Sequence, residues 1–313
     1  MGKYCFKIGS GATPRGGASV YLDKGKYSLI RSQNIYNEGF KQDGIVYIDK
    51  EAAEKLNNVT VEKDDVLINI TGDSVARVCL APAHFFPARV NQHVAIIRPN
   101  RDEYNPCFLR YYLITPQAQN ELLSLASSGA TRNALTKGML ENIKVPKPDI
   151  KIQDKIATIL TSLDDKIELN QKTNQTLEEM AQAIFKEWFV DFRFPGHEKV
   201  KFIDGLPEGW RERNLGDFID ATIDNRGKTP PVIERNTMSY PLVEVNAIVG
   251  GSRVIYLENA RKYVSAETYK LWFRKGHPVK NDTLVSTVGS IGEIGIVGDE
   301  NISIAQNIVA LRN

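Results

Sequence analysis

Acidic residues near a lysine are the first candidates for catalysis in this sequence. Pro148-Asp149 and Asp164-Asp165-Lys166 have the residue order of a magnesium-dependent nuclease, in which carboxylates hold the metal and a lysine helps to activate water. However, Asp164 and Lys166 fall between apolar positions of a long helical pattern. Charges placed in this way usually form a solvated helix face, so we expect these side chains to point to solvent and predict no nuclease site.

Turn motifs of methyl-transfer and nucleotide-binding enzymes are the next candidates. Asn105-Pro106-Cys107-Phe108 is close to the Asn-Pro-Pro-aromatic turn of DNA amino-methyltransferases but lacks the second proline. Here Asn-Pro favours the start of a helix, where proline is tolerated at the first position. Gly289, Gly292 and Gly295 have neither the spacing nor the strand–helix context of a phosphate-binding loop, and they predict tight turns between strands.

The histidines and cysteines are scattered along the chain. The histidines share no ligand spacing: His84, His93, His197 and His277. The three cysteines have no C-x-x-C pair and are typical of thiols in a reducing cytoplasm: Cys5, Cys79 and Cys107. We therefore predict no catalytic site, no metal site and no cofactor bound by this chain.

Length and composition favour a globular chain with more than one domain. The chain has 313 residues, of which 42% are hydrophobic and 25% are charged, as is usual for folded proteins. A net charge of +2 permits a nucleic-acid partner, because such binding needs a basic face and not a basic total. The chain has no signal-peptide pattern and no run of about 18 apolar residues, so we expect a cytoplasmic protein without membrane contact.

The chain contains an internal repeat. Asp65–Ser74 matches Asp282–Ile291, and each segment is an acidic turn, a β-prone run and a Gly-polar turn. Two more pairs match in the same order: Asn91–Arg98 with Ala305–Arg312, and Tyr27–Ile35 with Tyr240–Ile248. Three matches in register indicate two copies of one domain. Short β-prone runs broken by Gly, Pro, Asn and Asp predict that both copies are sheet-rich with long surface loops.

The two copies differ at their ends. An additional leading segment, Gly205–Trp210, precedes Leu215 in copy two, whereas copy one begins at Met1, which aligns with Leu215. Copy one continues into a helical stretch at Pro106–Ser127, with a break at Pro116, whereas copy two stops at Asn313. We therefore expect the second copy to be truncated.

A long helix separates the two copies. From Ile152 to Phe192 the sequence has no Gly or Pro, and one seam of a heptad pattern alternates steps of four and three residues. The seam consists of Ile156, Leu160, Leu163, Ile167, Asn170, Asn174, Leu177, Ala181, Ile184 and Trp188. It predicts a coiled-coil helix of about 40 residues, roughly 60 Å long, which needs a partner to bury its apolar stripe. Asn170 and Asn174 are expected to fix register or, alternatively, to face solvent or another subunit.

Several motifs together resemble those of specificity subunits of type I restriction–modification systems. They are Leu-Pro-Glu-Gly-Trp at 206–210 followed by Leu-Gly-Asp at 215–217, Gly-Ala-Thr-Pro at 11–14, Asp-Val-Leu-Ile-Asn-Ile-Thr-Gly at 65–72, Val-Asn-Gln-His at 90–93, Ala-Thr-Arg-Asn-Ala-Leu-Thr-Lys at 130–137, and Val-Pro-x-Pro running into Gln153 and the long helix. Each motif is weak alone, but their order, the repeat and the helix are specific. The resemblance covers essentially the whole chain.

The resemblance implies a non-catalytic subunit that reads DNA for a larger complex. In such subunits two antiparallel helices separate two target-recognition domains, so that each domain reads one half of a bipartite site. Modification subunits dock on the helices and methylate adenine with S-adenosylmethionine, and a translocating restriction subunit joins them. ATP and Mg²⁺ are also expected on these partner subunits. This chain lacks a second long helix, so a homodimer through the helix is a further expectation.

The resemblance and the repeat together predict an α+β fold, with two sheet-rich target-recognition domains joined by a long α-helix of coiled-coil type. The predicted segments are the first recognition domain at 1–150, the helix at 151–193, a linker at 194–204 and an incomplete second recognition domain at 205–313.

Loop side chains of each copy are the candidates for DNA contact, because Arg, Asn and Gln can form paired hydrogen bonds with base edges. In copy one they are Arg15, Arg31, Gln33, Asn34, Ser74, Arg77, Arg132 and Asn133. In copy two they are Arg226, Lys228, Glu244, Asn246 and Ser290. The first choices for base contacts are Arg31, Gln33 and Asn34, whereas Arg15, Arg77 and Arg132 are equally consistent with phosphate contacts.

Arg31-x-Gln33-Asn34 aligns with Glu244-x-Asn246-Ala247, a change of chemistry that two different half-sites would require. Gln92 and Gln306 are placed identically in both copies, so a structural role is an alternative for them. Two other functions stay open. One is a coiled-coil scaffold whose globular heads bind protein partners, and the other is the recognition half of a fused restriction–methylation enzyme.

Overall fold

The computed structural model describes residues 1–127, 133–227, 229–249 and 253–313. The chain divides into two compact units, Met1–Lys186 (unit 1) and Glu187–Asn313 (unit 2). Within the described ranges, no helix has both the length and the apolar character that a membrane crossing requires.

Unit 1 is built from two sheets and a set of helices. In chain order its elements are β1 Cys5–Ser10, β2 Tyr27–Ile30, β3 Ile35–Tyr36, β4 Gly39–Phe40, β5 Val46–Ile48, α1 Lys50–Lys55, β6 Thr60–Val61, β7 Val66–Asn69, β8 Val78–Leu80, β9 Ala88–Val90, β10 Val94–Pro99, α2 Pro106–Leu113, α3 Pro116–Ser127, α4 Lys137–Asn142 and α5 Ile150–Phe185. The first sheet is antiparallel with the order β1-β10-β7-β8. The second has the order β5-β2-β9-β6, with β2 and β9 parallel, and β3 and β4 form a hairpin.

The first sheet of unit 1 is buried on both faces. Side chains alternate along a strand, so Leu67 and Ile96 pack toward the second sheet. Ile68 and Ile97 point the other way and pack toward helices α2 to α4, in the same cluster as Leu109 of α2. All five side chains are fully buried. Burial on both faces explains why β7 and β10 are almost continuously apolar instead of alternating.

Helix α2 begins where the sequence predicted a helix start. Asn105 is its N-cap, accepting a hydrogen bond from Phe108 N at 3.1 Å, and Pro106 occupies the first helical position. The predicted break at Pro116 is confirmed, because α2 ends at Leu113 and α3 begins at Pro116.

Helix α5 is the predicted long helix. Asp149 caps its first turn by accepting a hydrogen bond from Lys151 N at 2.9 Å, and a π-helical turn continues it from Lys186 to Val190. Its first turns pack against the rest of unit 1 through the buried Ala157 and Gln153. The Gln153 amide donates to the carbonyl oxygens of Glu103 (3.0 Å) and Pro148 (2.9 Å). The helix therefore has a fixed start on unit 1.

The face of α5 that packs on unit 1 lies one residue away from the predicted seam. Most seam side chains, including Ile167, are exposed, as are Asn170 and Asn174. Asp164 is exposed, as expected, but it also has protein partners: its Oδ2 accepts hydrogen bonds from Arg110 Nη1 (2.9 Å) and Tyr111 Oη (2.8 Å). The reason is that α2 packs along this side of α5.

Unit 2 repeats the strand arrangement of unit 1. Its elements are β11 Phe202–Ile203, β12 Leu206–Pro207, β13 Ala221–Asp224, β14 Tyr240–Val243, β15 Val254–Ile255, β16 Lys262–Val264, α6 Ala266–Leu271, β17 Thr283–Ser286, β18 Ile294–Val297, β19 Ser303–Ile304 and β20 Ile308–Arg312. Its larger sheet has the order β13-β20-β17-β18-β15, of which the first four strands correspond to β1-β10-β7-β8. Its second sheet, β16-β14-β19, corresponds to β5-β2-β9 and has the same parallel pair. The strand order thus confirms the predicted repeat.

Each copy contains an equivalent ion pair around a buried aspartate. Arg98 Nε and Nη2 contact the two carboxylate oxygens of Asp65 at 2.7 and 2.8 Å. Arg312 contacts Asp282 in the same way at 2.9 and 2.7 Å. In each copy the aspartate precedes the central strand and the arginine comes from its neighbour, so the repeat extends to side-chain geometry.

The copies differ in what covers the larger sheet. Val78 of β8 pairs with Ile68 and is 0% exposed, packed in the core that includes helices α2 to α4. Ile294 of β18 pairs in the same way with Val285 but is 60% exposed. Among the described residues of unit 2, this sheet face carries no layer corresponding to α2–α4.

Candidate nucleic-acid interface

The strands of unit 1 deliver several loops to one end of its sheets. The loop after β1 lies against the ends of the neighbouring strands, with Gly11 N donating to Val94 O at 2.7 Å and Ala12 N donating to Val90 O at 3.1 Å. A Cβ on Gly11 would lie 2.2 Å from Asn91 O, so only glycine allows this approach. We call the loops at 11–15, 31–34, 71–77 and 91–93, with Asn133, loop surface 1.

The 31–34 loop carries the residues that the sequence favours most for base contacts. Arg31 donates from Nη2 to Gly44 O, and its guanidinium lies 5.5 Å from the centre of the Tyr21 ring. Gln33 is exposed, and its Nε2 lies 3.4 Å from Gly44 O. These contacts orient Arg31 and Gln33 at the rim of loop surface 1.

The structure corrects the expectation that Asn34 contacts a base. Asn34 is 0% exposed. Its amide donates to the carbonyls of Lys41 (2.9 Å) and Asp43 (3.0 Å), and its Oδ1 accepts from Arg31 N (3.0 Å). Because both N–H groups serve the backbone, Asn34 shapes the loop that presents its neighbours.

The other candidates of copy one surround the same surface. Arg15 and Asn133 are exposed, and the Asn133 carbonyl accepts from Gly72 N at 3.3 Å. Ser74 is partly buried, and its Oγ accepts from Asn69 Nδ2 at 3.0 Å. Arg77 lies over the ring of Tyr36 at 4.6 Å. Loop surface 1 thus carries the candidates in the described part of copy one, but Arg15 lies toward α1, where it lines a cleft with Asp49 and Lys55. Arg132 lies outside the described residues.

Asn69 lies beneath the surface and joins two of its loops. Its Nδ2 donates to Ser32 O at 2.9 Å as well as to Ser74, whereas its buried Oδ1 has no hydrogen-bond partner. Most of the buried polar side-chain atoms without a partner, counted over the described residues, lie in loop surface 1 or at the matching strand ends of unit 2. They are Thr13 Oγ1, Arg31 Nε and Asn69 Oδ1 in unit 1, and Thr287 Oγ1 and Asn307 Oδ1 in unit 2. Unpaired buried polar groups are costly and concentrate where a ligand or water completes them.

The structure adds residues that sequence reasoning missed. Tyr36, on the β3–β4 hairpin, has Lys41 Nζ 4.2 Å from its ring centre in addition to Arg77. Two cations held by one ring form a basic spot beside loop surface 1. Gln92 bonds His93 and not loop backbone, with 3.1 Å between Gln92 Nε2 and His93 Nε2. The sequence signal for the hairpin is the Asn37-Glu38-Gly39 turn between Tyr36 and Phe40.

The corresponding loops of unit 2 line a cleft, which we call loop surface 2. Its lining includes Arg226, Gly227, Thr229, Pro230, Glu244, Lys262, Gln306 and Asn307. Gly227–Pro230 repeats the Gly-x-Thr-Pro order of Gly11–Pro14, a sequence signal that could have located this cleft. Asn246 and Ser290 are exposed, and Lys228 lies outside the described residues.

The charged side chains of loop surface 2 that the structure describes are paired. Arg226 Nε lies 2.9 and 2.8 Å from the two carboxylate oxygens of Asp224, and this hydrogen bonding lowers the pKa of the Asp224 carboxyl. Lys262 Nζ lies 2.8 Å from Glu244 Oε1. Arg31 of loop surface 1 binds a neutral carbonyl instead. The two surfaces therefore offer different hydrogen-bonding groups on matching strands.

The chain matches the family model of the type I restriction modification DNA specificity domain over residues 5–179, more than half of its length. It is similar to the MjaIX specificity subunit of a type I restriction enzyme from Methanocaldococcus jannaschii, with 33% identity over 145 residues, 45% of this chain and 33% of that protein. It is also similar to the EcoBI specificity subunit from Escherichia coli, with 26% identity over 267 residues, 80% of this chain and 53% of that protein. The matches thus span about half or less of these relatives.

A solved structure shares the fold. The S subunit of a type I restriction–modification system from M. genitalium aligns with a TM-score of 0.53 at 16% identity, over 98% of this chain and 70% of that chain. At this identity the likeness concerns the fold alone.

Proposed function

Because this chain belongs to the type I restriction–modification DNA specificity domain family, we propose that it selects DNA sequences for a type I restriction–modification complex. The supporting observation is the pair of loop surfaces. Matching strands of the two units carry different loop side chains, Arg31 and Gln33 in one and Glu244 and Asn246 in the other. A shared scaffold with exchanged polar groups is what reading two different sequences requires.

We propose further that each unit reads one half of a bipartite site in double-stranded DNA. The base contacts come from Arg31 and Gln33 in unit 1 and from Glu244, Asn246 and Arg226 in unit 2. The phosphate contacts come from Arg15, Arg77 and Lys41, with Ser74, Asn133 and Ser290 as nearby polar contacts. The paired Arg226 and Glu244 exchange their protein partners for DNA groups on binding.

In this proposal the chain is the non-catalytic member of the complex. The methyltransferase subunits dock on helix α5 and bind S-adenosylmethionine, and the restriction subunit holds ATP and Mg²⁺. The exposed apolar residues of α5 support a docking role for this helix, either for those subunits or for a second copy of the chain. Because the DNA that this chain would read lies inside the cell, we also propose that the protein is cytoplasmic.

Binding of the full chain to duplex DNA of randomised sequence tests the proposal. We expect selection of one sequence with two separated half-sites, and a linear fall of log affinity with log salt concentration, because phosphate contacts release counterions. Arg31→Ala should relax selection in one half-site only. Equal binding to all sequences, or binding that does not depend on salt, would exclude DNA reading and favour the scaffold whose heads bind protein.

Ile167→Asp tests the role of the helix. Ile167 is 55% exposed on α5, so a charge there should leave both units folded but oppose burial of the stripe against a partner. We expect loss of assembly with modification subunits, or of self-association, measured by analytical ultracentrifugation. Lys166→Asp, on the neighbouring exposed position, is the matched control and should assemble normally. Equal assembly of both variants would show that the partner does not cover this stripe.

A further inference from the structure

A chain of hydrogen bonds fixes one exposed glutamine on loop surface 1. Gln92 lies in the turn before β10, and its Nε2 is 3.1 Å from His93 Nε2. On the other side of the imidazole, His93 Nδ1 is 2.6 Å from Thr71 Oγ1. The His93 backbone is held as well, because its N donates to Asn91 Oδ1 (3.2 Å) and its carbonyl accepts from Ile70 N (2.9 Å). The ring therefore has little freedom to turn.

The donors and acceptors along this chain determine what Gln92 offers to a ligand. An amide nitrogen only donates, so His93 Nε2 must accept, and the ring proton resides on Nδ1, which donates to Thr71 Oγ1. We take the N–H of Gln92 that points away from its own Oε1 as the one donated to His93. Its Oε1 and the other N–H, which lie side by side, remain available on the exposed side chain.

We infer that Gln92 is a specificity-determining residue of unit 1 that reads an adenine. An acceptor beside a donor on one carboxamide matches the adenine N6 amino group and N7 in the major groove. His93 and Thr71 act as positioning residues, because they hold the amide in the orientation that adenine needs. This inference rests on the proposed DNA-reading function. It assigns base reading to Gln92, for which the sequence also left a structural role open.

Unit 2 keeps the glutamine but not the residues that orient it. Gln306 corresponds to Gln92, whereas Asn307 and Val288 take the places of His93 and Thr71. Asn307 Oδ1 is buried without a hydrogen-bond partner, and the valine side chain has no polar atom. Replacing His93 by Asn and Thr71 by Val therefore gives unit 1 the residues of unit 2. These two substitutions remove the hydrogen bonds that orient Gln92 and introduce only residue types that the repeat already has at these positions.

The test selects binding sequences for the full-length chain from duplexes with randomised sequence, first for the wild type and then for variants. Gln92→Ala should lower discrimination at one A·T pair of the unit 1 half-site by about tenfold to a hundredfold. His93→Asn and Thr71→Val should relax the same pair by less. Gln306→Ala is the matched control and should leave that pair unchanged. Amide hydrogen exchange of β7 and β10 verifies that each variant is folded.

The outcomes separate this inference from the proposed function. If wild type selects no sequence, the proposed function fails and the inference fails with it. If wild type selects a bipartite site but Gln92→Ala weakens all duplexes equally, Gln92 is a phosphate contact and only the inference is overturned. Unchanged selection by Gln92→Ala also overturns it. Relaxation by Gln92→Ala without any effect of His93→Asn and Thr71→Val overturns the positioning role of those two residues.

Discussion

Replacing Arg98 by methionine is expected to lower the free energy of unfolding of unit 1 by about 3–5 kcal/mol. Asp65 is 0% exposed, and Arg98 binds both of its carboxylate oxygens. Methionine roughly conserves the side-chain volume but has no charge to pair with the buried carboxylate. Asp65 then keeps the hydrogen bond from the Glu62 N–H (2.7 Å) but loses the guanidinium. Arg98 also donates to Thr60 O at 3.1 Å, so its loss removes a link between the two sheets.

The equivalent substitution in unit 2 is the matched control. Arg312→Met removes the partner of Asp282, but the Arg312 side chain is about a third exposed, and solvent screens the pair that it forms. We expect a smaller loss, on the order of 1–2 kcal/mol. Amide hydrogen exchange of β7 and β10, compared with β17 and β20, measures both losses within the full chain. A larger loss for Arg312→Met would contradict the order that burial predicts.

Val78→Asp is expected to unfold unit 1, whereas Ile294→Asp should change the stability of unit 2 by no more than about 0.5 kcal/mol. The two residues occupy equivalent ladder positions, opposite Ile68 and Val285. Val78 is fully buried in the core with α2–α4, so an aspartate there would place an unpaired charge among apolar groups. The penalty of several kcal/mol is comparable to the whole stability of a domain.

Ile294 is 60% exposed, so an aspartate at this position stays hydrated. Soluble yield and hydrogen exchange of β8 and β18 distinguish the two variants. Val78→Ala serves as a milder control, because it removes apolar contacts without adding a charge. If Ile294→Asp unfolded unit 2 as completely as Val78→Asp unfolds unit 1, the sheet face around Ile294 would have to be covered in the protein.

Local patterns predicted the elements well where the physics is local. Asn105-Pro106 predicted a helix start because a side-chain cap and a proline without an N–H both suit a first turn. The uninterrupted heptad predicted α5 because its length and periodicity belong to no short core element. The internal repeat predicts the shared strand order, since similar sequence patterns adopt similar folds. The Gly-x-Thr-Pro turn of copy two is an equally local signal.

Individual site residues were predicted less well, because a loop side chain gains its role from distant partners. Asn34 and Gln33 are neighbours with similar chemistry, yet one is buried by carbonyls up to nine residues away and the other is exposed. Asp164 and Asp165 are likewise neighbours, but only the first meets Arg110 of α2. The orientation of Gln92 depends on Thr71, which is 21 residues earlier in the sequence.

The sequence by itself determined the class of protein, the two copies and the long helix, because periodicity, motif order and capping are carried by nearby residues. The tertiary structure alone decided which loops meet, which polar groups are consumed by the backbone and which remain for a ligand. It also decided that, in the part of the chain that the structure describes, one copy of the sheet is buried on both faces while the other exposes Ile294. These properties depend on packing between elements that are far apart in the chain. Local sequence patterns do not determine which distant carbonyl or carboxylate a given side chain contacts.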